Sequence, residues 1–165
     1  MERNAYLLLL AILFFCACKD TDVKNVDLKK AVDSQISALK MEKSDSLKFD
    51  LCTYIPFEWD SLVVVTGYST PNSLKVFKFE NQHVIRELIT IVPERSNILL
   101  YIRSNRIVGF SDLQAPVLDF SRISSHYHFG YTIMYKKECS FLMTRRSIKN
   151  GQLLFSLETS LINKH

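Results

Sequence analysis

A helical pattern of apolar residues begins just after residue 26. The apolar positions recur three or four residues apart, at Leu28, Val32, Ile36 and Leu39. Polar side chains fall on the opposite side, as in an amphipathic helix that covers a core. Asp27 precedes the pattern and can cap the first turn. We therefore expect an N-terminal helix that either packs on the following domain or remains a mobile stalk.

Most of the remaining chain shows the two-residue alternation or the β-branched runs that are typical of strands. These segments cover residues 47–55, 62–66, 98–102, 107–111, 117–123, 129–136, 138–147 and 152–158. Tight turns at Arg103–Arg106 and Lys149–Gly151 predict antiparallel neighbours. Residues 84–91 fit a short helix, and residues 73–79 fit a strand or a helix equally well. The prediction is an α+β fold: an N-terminal amphipathic helix, an antiparallel sheet of six or more strands, and room for one further short helix.

An uncharged apolar run occupies the start of the chain. Ala5–Ala17 is thirteen residues long and ends beside Cys18, after which Lys19 and Asp20 follow at once. A helix of that length reaches ~20 Å, which is short of the ~30 Å hydrocarbon core of a bilayer. The run therefore fits a removable secretory signal better than a membrane span.

The end of this run resembles a bacterial lipoprotein signal, in which a small residue precedes a cysteine that is lipidated and becomes the mature N-terminus. Ala17 supplies the small residue before Cys18, whereas the bulky Phe15 precedes Cys16. Phe15 and Cys16 depart from the usual residues of such signals. The resemblance implies a signal peptide over residues 1–17, lipidation at Cys18 and a place in the cell envelope, in the outer membrane of a Gram-negative bacterium.

The residues after Cys18 leave the orientation of the protein open. The sequence Lys19–Asp22 resembles the short acidic tag that some of these lipoproteins use to reach the cell surface, but a solvated tether explains it equally well. We assign residues 18–46 to a lipid-anchored tether and helix, and residues 47–165 to a single α+β domain. About 150 residues remain after the signal, enough for one domain with its own core.

Composition narrows the set of partners. The net charge of +4 is mild, and nucleic acid is not an expected partner of an exported protein. The expected partners are the membrane, through the lipid anchor, and an envelope protein or an anionic glycan or lipid. No cofactor and no bound metal are expected. Cys52 and Cys139 remain once Cys16 is removed and Cys18 is lipidated, and an oxidising compartment permits a disulfide between them. Two unrelated buried thiols would give the same sequence.

The segment Phe57-Glu58-Trp59-Asp60 is the most distinctive feature inside the domain. Together with the apolar strand after it, this segment resembles a motif of small uncharacterised exported bacterial proteins, which implies no activity. Glu58 and Asp60 lie two positions apart, as an acid–base pair on a strand would, although turn residues show the same spacing. Trp59, the single tryptophan, can stack on a sugar or anchor the core.

Two further groups of residues carry candidate chemistry. His126 and His128 would share one side of a strand and could hold a metal with a third ligand, which no nearby motif supplies. Lys136, Lys137, Arg145 and Arg146 form a candidate basic binding surface, although lysines that protect an edge strand give the same pattern. Nucleophile and phosphate-loop motifs are absent from the sequence. We therefore predict a non-enzymatic binding or interaction module. The alternative is a small hydrolase or metal-dependent enzyme that uses Glu58 and Asp60 with His126 and His128.

Overall fold

A computed structural model of the chain describes residues 23–42, 44–67, 69–90, 92–93, 96–113, 118–120, 127–128, 130–147 and 153–159. These ranges contain two α-helices, α1 (Lys29–Met41) and α2 (His83–Leu88). Three 3₁₀ turns cover Leu51–Tyr54, Pro71–Leu74 and Lys136–Glu138. The strands, in chain order, are β1 (Lys24–Asn25), β2 (Ser46–Asp50), β3 (Ser61–Val65), β4 (Asn97–Arg103), β5 (Arg106–Leu113), β6 (Leu118–Asp119), β7 (Tyr127–His128), β8 (Tyr131–Tyr135), β9 (Ser140–Ser147) and β10 (Leu153–Thr159).

The described strands form two sheets. One has six strands in the order β1-β5-β4-β3-β8-β7, and the other has four in the order β2-β9-β10-β6. Neighbouring strands are antiparallel except β1 with β5 and β6 with β10, which are parallel. The α+β class predicted from the sequence is confirmed. The expectation of a single antiparallel sheet needs correction, because alternation identifies a strand but does not choose its partner.

The inter-sheet core lies between the two sheets. Its largest side chains with almost no exposure are Trp59, Tyr101, Phe141 and Phe155, which come from both sheets and from the segment before β3. Helix α1 buries Val32, Ile36 and Leu39 in the same core, so it packs on the domain and is no separate stalk. Two residues of the expected tether, Lys24 and Asn25, also belong to the domain because they pair with β5.

The outer core lies on the opposite face of the six-stranded sheet and is mostly aliphatic. Alternate residues of β3 and β4, such as Val63, Val65 and Leu100, point into it. Residues 69–92 cover it with the 3₁₀ turn at Pro71–Leu74 and helix α2, which buries Val84 and Ile85. Of residues 73–79, which the sequence left open between strand and helix, the first two end the 3₁₀ turn and residues 75–79 form neither strand nor helix.

Several element boundaries differ from those expected, for local reasons. The first expected strand stops at Asp50 because its carboxylate accepts a hydrogen bond from the Cys52 backbone N–H and starts a 3₁₀ turn. The turn between β4 and β5 is confirmed, and both Ser104 and Asn105 adopt positive φ, at 46° and 62°. Strands β9 and β10 pair in antiparallel fashion as predicted, while the turn expected at Lys149–Gly151 lies outside the described residues.

Two buried polar side chains hold the cover of the outer core. The Asn81 side chain donates to the Ile107 carbonyl at 2.8 Å and accepts from the Ile107 N–H at 2.9 Å, so it pairs with β5 as a neighbouring strand would. The Ser69 hydroxyl lies 2.6 Å from the carbonyl oxygens of both Thr66 and Gly130. These contacts replace the ladder that a regular element would supply.

Candidate binding pocket beside the Cys52–Cys139 disulfide

A disulfide joins Cys52 and Cys139, which are 87 residues apart in the sequence. Cys52 lies in the 3₁₀ turn after β2, and Cys139 immediately precedes β9, the strand with which β2 pairs. Their Cα atoms are 5.7 Å apart, within the usual range for a bridge. Leu51 N–H donates to the Cys139 carbonyl at 2.9 Å, so the backbone ladder reaches the disulfide itself.

An open pocket of about 390 Å³ lies next to the disulfide. Its lining residues come from the 3₁₀ turns at Leu51–Tyr54 and Lys136–Glu138 and from the segment that leads into β3. They are Cys52, Ile55, Pro56, Phe57, Glu58, Trp59 and Lys136. The Phe57 and Trp59 rings meet the Tyr101 ring edge-on, with centroids 5.6 and 5.9 Å away. These contacts hold the segment against the sheet and leave Glu58, between the two rings, pointing outward. Trp59 itself is only 2% exposed, so it anchors the core and offers no face to a ligand.

Glu58 forms an ion pair with Lys136 across the pocket. The Lys136 Nζ and Glu58 Oε2 atoms are 3.0 Å apart, and the side chains remain 42% and 70% exposed respectively. The hydrogen bond from Lys136 and its positive charge, with a smaller effect of Arg103, hold the pKa of Glu58 below its ordinary value. Glu58 is therefore a stable carboxylate at neutral pH, able to accept hydrogen bonds but not to donate a proton.

Asp60 has a different role from Glu58, although the two are close in sequence. Its carboxylate accepts a hydrogen bond of 2.7 Å from the Ser104 N–H, in the positive-φ turn between β4 and β5. Its backbone N–H donates to Ile102, and its carbonyl accepts from Lys136. Asp60 thus ties the turn to the start of β3. The two carboxylates have separate partners and do not form an acid–base pair.

The predicted basic surface is divided by the structure. Lys136 and Lys137 lie in the 3₁₀ turn beside the pocket, and Lys137 Nζ is 5.9 Å from the centre of the Tyr135 ring. Arg145 lies five residues beyond Ser140 along β9, roughly 16 Å further at the rise of a strand. Arg146 follows in the same strand, and its side chain is outside the described part of the structure. Lys136 therefore lines the pocket and the exposed Lys137 follows it in the same turn, while Arg145 is exposed elsewhere on β9.

The Phe57 ring, which lines the pocket, is also close to β1. Lys24 Nζ lies 5.3 Å from the centre of the Phe57 ring, a cation–π distance. Gly109 makes room for this ring, because a Cβ atom there would overlap Phe57 and lie 2.9 Å from the Lys24 carbonyl oxygen. The sequence did not identify Lys24 or Phe57 as binding residues, and it indicated Tyr135 only as an aromatic neighbour of the basic surface. The position of Tyr135 next to Lys136 and Lys137 was the one available signal for it.

Other predicted site residues lie outside the described ranges. They are Cys18 and His126, and for His128 only the backbone, in β7, is described. No described helix combines the length and the apolar character that crossing a bilayer requires. No protein-family model, curated protein or solved structure matches this chain.

Proposed function

We propose that this protein is a lipid-anchored module of the cell envelope that binds a ligand or partner without catalysing a reaction. The uncharged run before Cys18 and the small Ala17 support lipidation at that cysteine. The Cys52–Cys139 disulfide supports export, because such cross-links persist in oxidising compartments. The outer membrane of a Gram-negative bacterium is the membrane that we propose for the anchor.

The observation that carries the binding proposal is the composition of the pocket rim. Phe57 and Lys136 line the pocket, Lys24 Nζ lies over the Phe57 ring, and Lys137 and the 51% exposed Tyr135 are the chain neighbours of Lys136. Ammonium groups attract carboxylate, sulfate or phosphate, and aromatic rings pack on the apolar faces of sugars or on lipid chains. Glu58 adds a hydrogen-bond acceptor for a hydroxyl group. An anionic glycan or an anionic lipid headgroup fits this chemistry.

The short tether supports a position of the pocket close to the membrane. Five residue steps connect Cys18 to Val23, the first described residue, and an extended chain spans at most about 18 Å over that distance. Lys24 follows directly and contacts Phe57 at the pocket rim. A lipid on Cys18 would therefore keep this side of the domain near the headgroups.

Mass spectrometry of the mature N-terminus tests the anchor. We expect the mature N-terminal residue to be an acylated Cys18. Cys18→Ala should abolish this lipid modification, whereas Cys16→Ala should leave it intact. An unmodified Cys18 in the natural host would overturn the anchoring proposal.

Chemical labelling of lysines tests the binding surface. The full lipoprotein is placed in nanodiscs of phosphatidylcholine, and amine acylation is measured at Lys136 and Lys137, with the exposed Lys29 and Lys30 of α1 as internal controls. A sulfated oligosaccharide is added in one arm, and phosphatidylglycerol is included in the other. We expect selective protection of Lys136 and Lys137 in one arm, which identifies the glycan or the headgroup as the ligand. Protection in neither arm, or equal protection of all four lysines, would overturn the proposal.

A paired substitution provides a second measurement of the same surface. Each lysine close to an anionic surface contributes ~1 kcal/mol, so we expect Lys136→Gln with Lys137→Gln to weaken binding by about thirtyfold. Lys29→Gln with Lys30→Gln removes the same charge from α1 and should leave the affinity unchanged. Equal losses for both pairs would indicate attraction by overall charge alone.

A further inference from the structure

The disulfide lies beside a third group that can bind a metal ion. Asp50, at the end of β2, places a carboxylate oxygen next to both cysteines, and one ligand atom from each of the three residues lies within 4.8 Å of the others. The Cys139 Sγ and Asp50 Oδ1 atoms are 3.7 Å apart. The Cys52 N–H donates to the same Oδ1 at 3.1 Å and so fixes the direction of the carboxylate.

The backbone holds this arrangement without the disulfide. Strands β2 and β9 pair at five positions, from Ser46 with Thr144 to Asp50 with Ser140. The hydrogen bond from Leu51 N–H to the Cys139 carbonyl continues the ladder between the cysteines. We therefore expect the two thiols and the carboxylate to stay side by side when the sulfur–sulfur bond is broken.

We propose that Asp50, Cys52 and Cys139 form a binding site for a thiophilic divalent cation, Zn²⁺ in particular, when the disulfide is reduced. A dithiol reductant supplies two electrons and two protons, the bond between the cysteines breaks, and the reductant becomes a disulfide. Zn²⁺ then displaces one proton from each thiol and bonds to two thiolates and one carboxylate oxygen. Sulfur and carboxylate ligands in this combination suit zinc.

The pocket provides the remaining coordination position. Cys52 lines the open pocket, so water can complete a tetrahedral site that has three protein ligands. The Cys52 N–H acts as an outer hydrogen-bond donor that orients the Asp50 carboxylate. The same pair of cysteines is thus either a cross-link or part of a metal site, and the redox state selects between them. This inference does not depend on the lipid anchor.

A titration with Co²⁺ and Zn²⁺ tests the site. The full chain carries Cys16→Ala and Cys18→Ala, so that Cys52 and Cys139 are its only cysteines. The protein is dissolved in detergent and measured before and after reduction by a phosphine. The phosphine is removed under oxygen-free conditions before the metal is added. In the reduced chain we expect one Co²⁺, with the charge-transfer absorption of thiolate ligands, and its displacement by Zn²⁺. The oxidised chain should show no such absorption.

Single substitutions assign the ligands. Asp50→Asn should weaken zinc binding by about tenfold or more, since losses of this size follow even from outer-shell changes, and Asp33→Asn on the exposed face of α1 should have no effect. Cys52→Ser and Cys139→Ser should each remove the thiolate absorption. Circular dichroism of the reduced chain should show the native spectrum, because β2 and β9 remain paired.

Three results would overturn the proposal. They are the failure of the reduced chain to bind Co²⁺ at one equivalent, unfolding of the domain on reduction, and binding that persists in Cys52→Ser or in the oxidised chain. The last result would place the metal elsewhere, for example at His126 and His128.

Discussion

The two cores of this domain lie on opposite faces of one sheet and are built by different means. The inter-sheet core is closed by a second sheet and by the three-turn helix α1, and large rings such as Trp59 and Tyr101 fill it. The outer core is closed by residues 69–90, in which the structure describes a 3₁₀ turn and the six-residue helix α2 as regular elements. Aliphatic side chains fill it.

The difference shows how an irregular cover is kept in place. A sheet or a long helix satisfies its own backbone groups, so its contact with a core can be almost wholly apolar. The cover of the outer core lacks such a ladder over most of its length and is held by buried polar side chains, among them Asn81 and Ser69. We expect the inter-sheet core to be sensitive to lost volume and the outer core to be sensitive to lost hydrogen bonds.

The largest expected effect is on the volume of the inter-sheet core. Trp59→Ala removes a ring that is 2% exposed and should lower the free energy of unfolding by about 3–5 kcal/mol. Trp59→Phe keeps an aromatic ring near Tyr101 and should cost clearly less. Urea unfolding followed by circular dichroism measures both. Equal losses for the two variants would show that ring volume does not control this core.

A smaller loss is expected from a polar group of the outer core. Asn81→Leu keeps the branched shape of the side chain but leaves the buried N–H and carbonyl of Ile107 without partners, which should cost about 2–4 kcal/mol. The exposed Asn72 is the matched control, and Asn72→Ala should change stability by about 0.5 kcal/mol or less. A neutral Asn81→Leu variant would contradict the comparison between the cores.

A polar pair that involves a ring of the inter-sheet core should have a still smaller effect. The Tyr101 and Ser111 hydroxyls are 3.0 Å apart and buried, and burial raises the pKa of Tyr101 well above its ordinary value. Tyr101→Phe should cost about 1–2 kcal/mol, because the Ser111 hydroxyl loses its partner. The double variant with Ser111→Ala should lose less than the sum of the single losses. Strict additivity would show that the hydroxyls do not interact.

The smallest effect is expected at the pocket rim, which belongs to neither core. Lys136→Gln should raise the pKa of Glu58 towards its ordinary value, as measured from its carboxyl NMR signal, whereas Lys137→Gln should not. A carboxyl group whose pKa is lowered on folding stabilises the fold at pH values above its unfolded-state pKa. This stabilisation is lost as the pH falls through the folded-state pKa. Natural protein and Lys136→Gln should therefore differ in stability slightly at neutral pH and converge in acid. A Glu58 pKa unchanged by Lys136→Gln would rule out the ion pair as its cause.

Local patterns in the sequence predict the elements but not their assembly. The helical spacing of Val32, Ile36 and Leu39 matches the side chains that α1 buries, and the β-branched run before Thr66 is β3. The pairing of β2 with β9 joins segments about ninety residues apart, and their alternation is compatible with many other partners. The parallel pairing of Lys24 and Asn25 with β5 could not be predicted either, because their segment is charged and shows no apolar period.

The candidate site was predictable only in part, for a similar reason. The sequence singled out Glu58, Lys136, Cys52 and Cys139 as chemically interesting, but it separated them into different groups. They meet because the segment before β3 lies over Tyr101 and because β9 returns beside β2. Asn81 was missed altogether, since an asparagine among polar residues is typical of a loop.

The disulfide also determines what happens to the chain after cleavage. Cys52 and Cys139 enclose more than half of the protein, including β3, β4, β5 and the whole cover of the outer core. A single cut by a protease anywhere inside this loop leaves two fragments that are still covalently joined. Each fragment also keeps its strand in the β2–β9 ladder. In any compartment that contains proteases, a nicked molecule of this protein would stay in one piece until its disulfide was reduced.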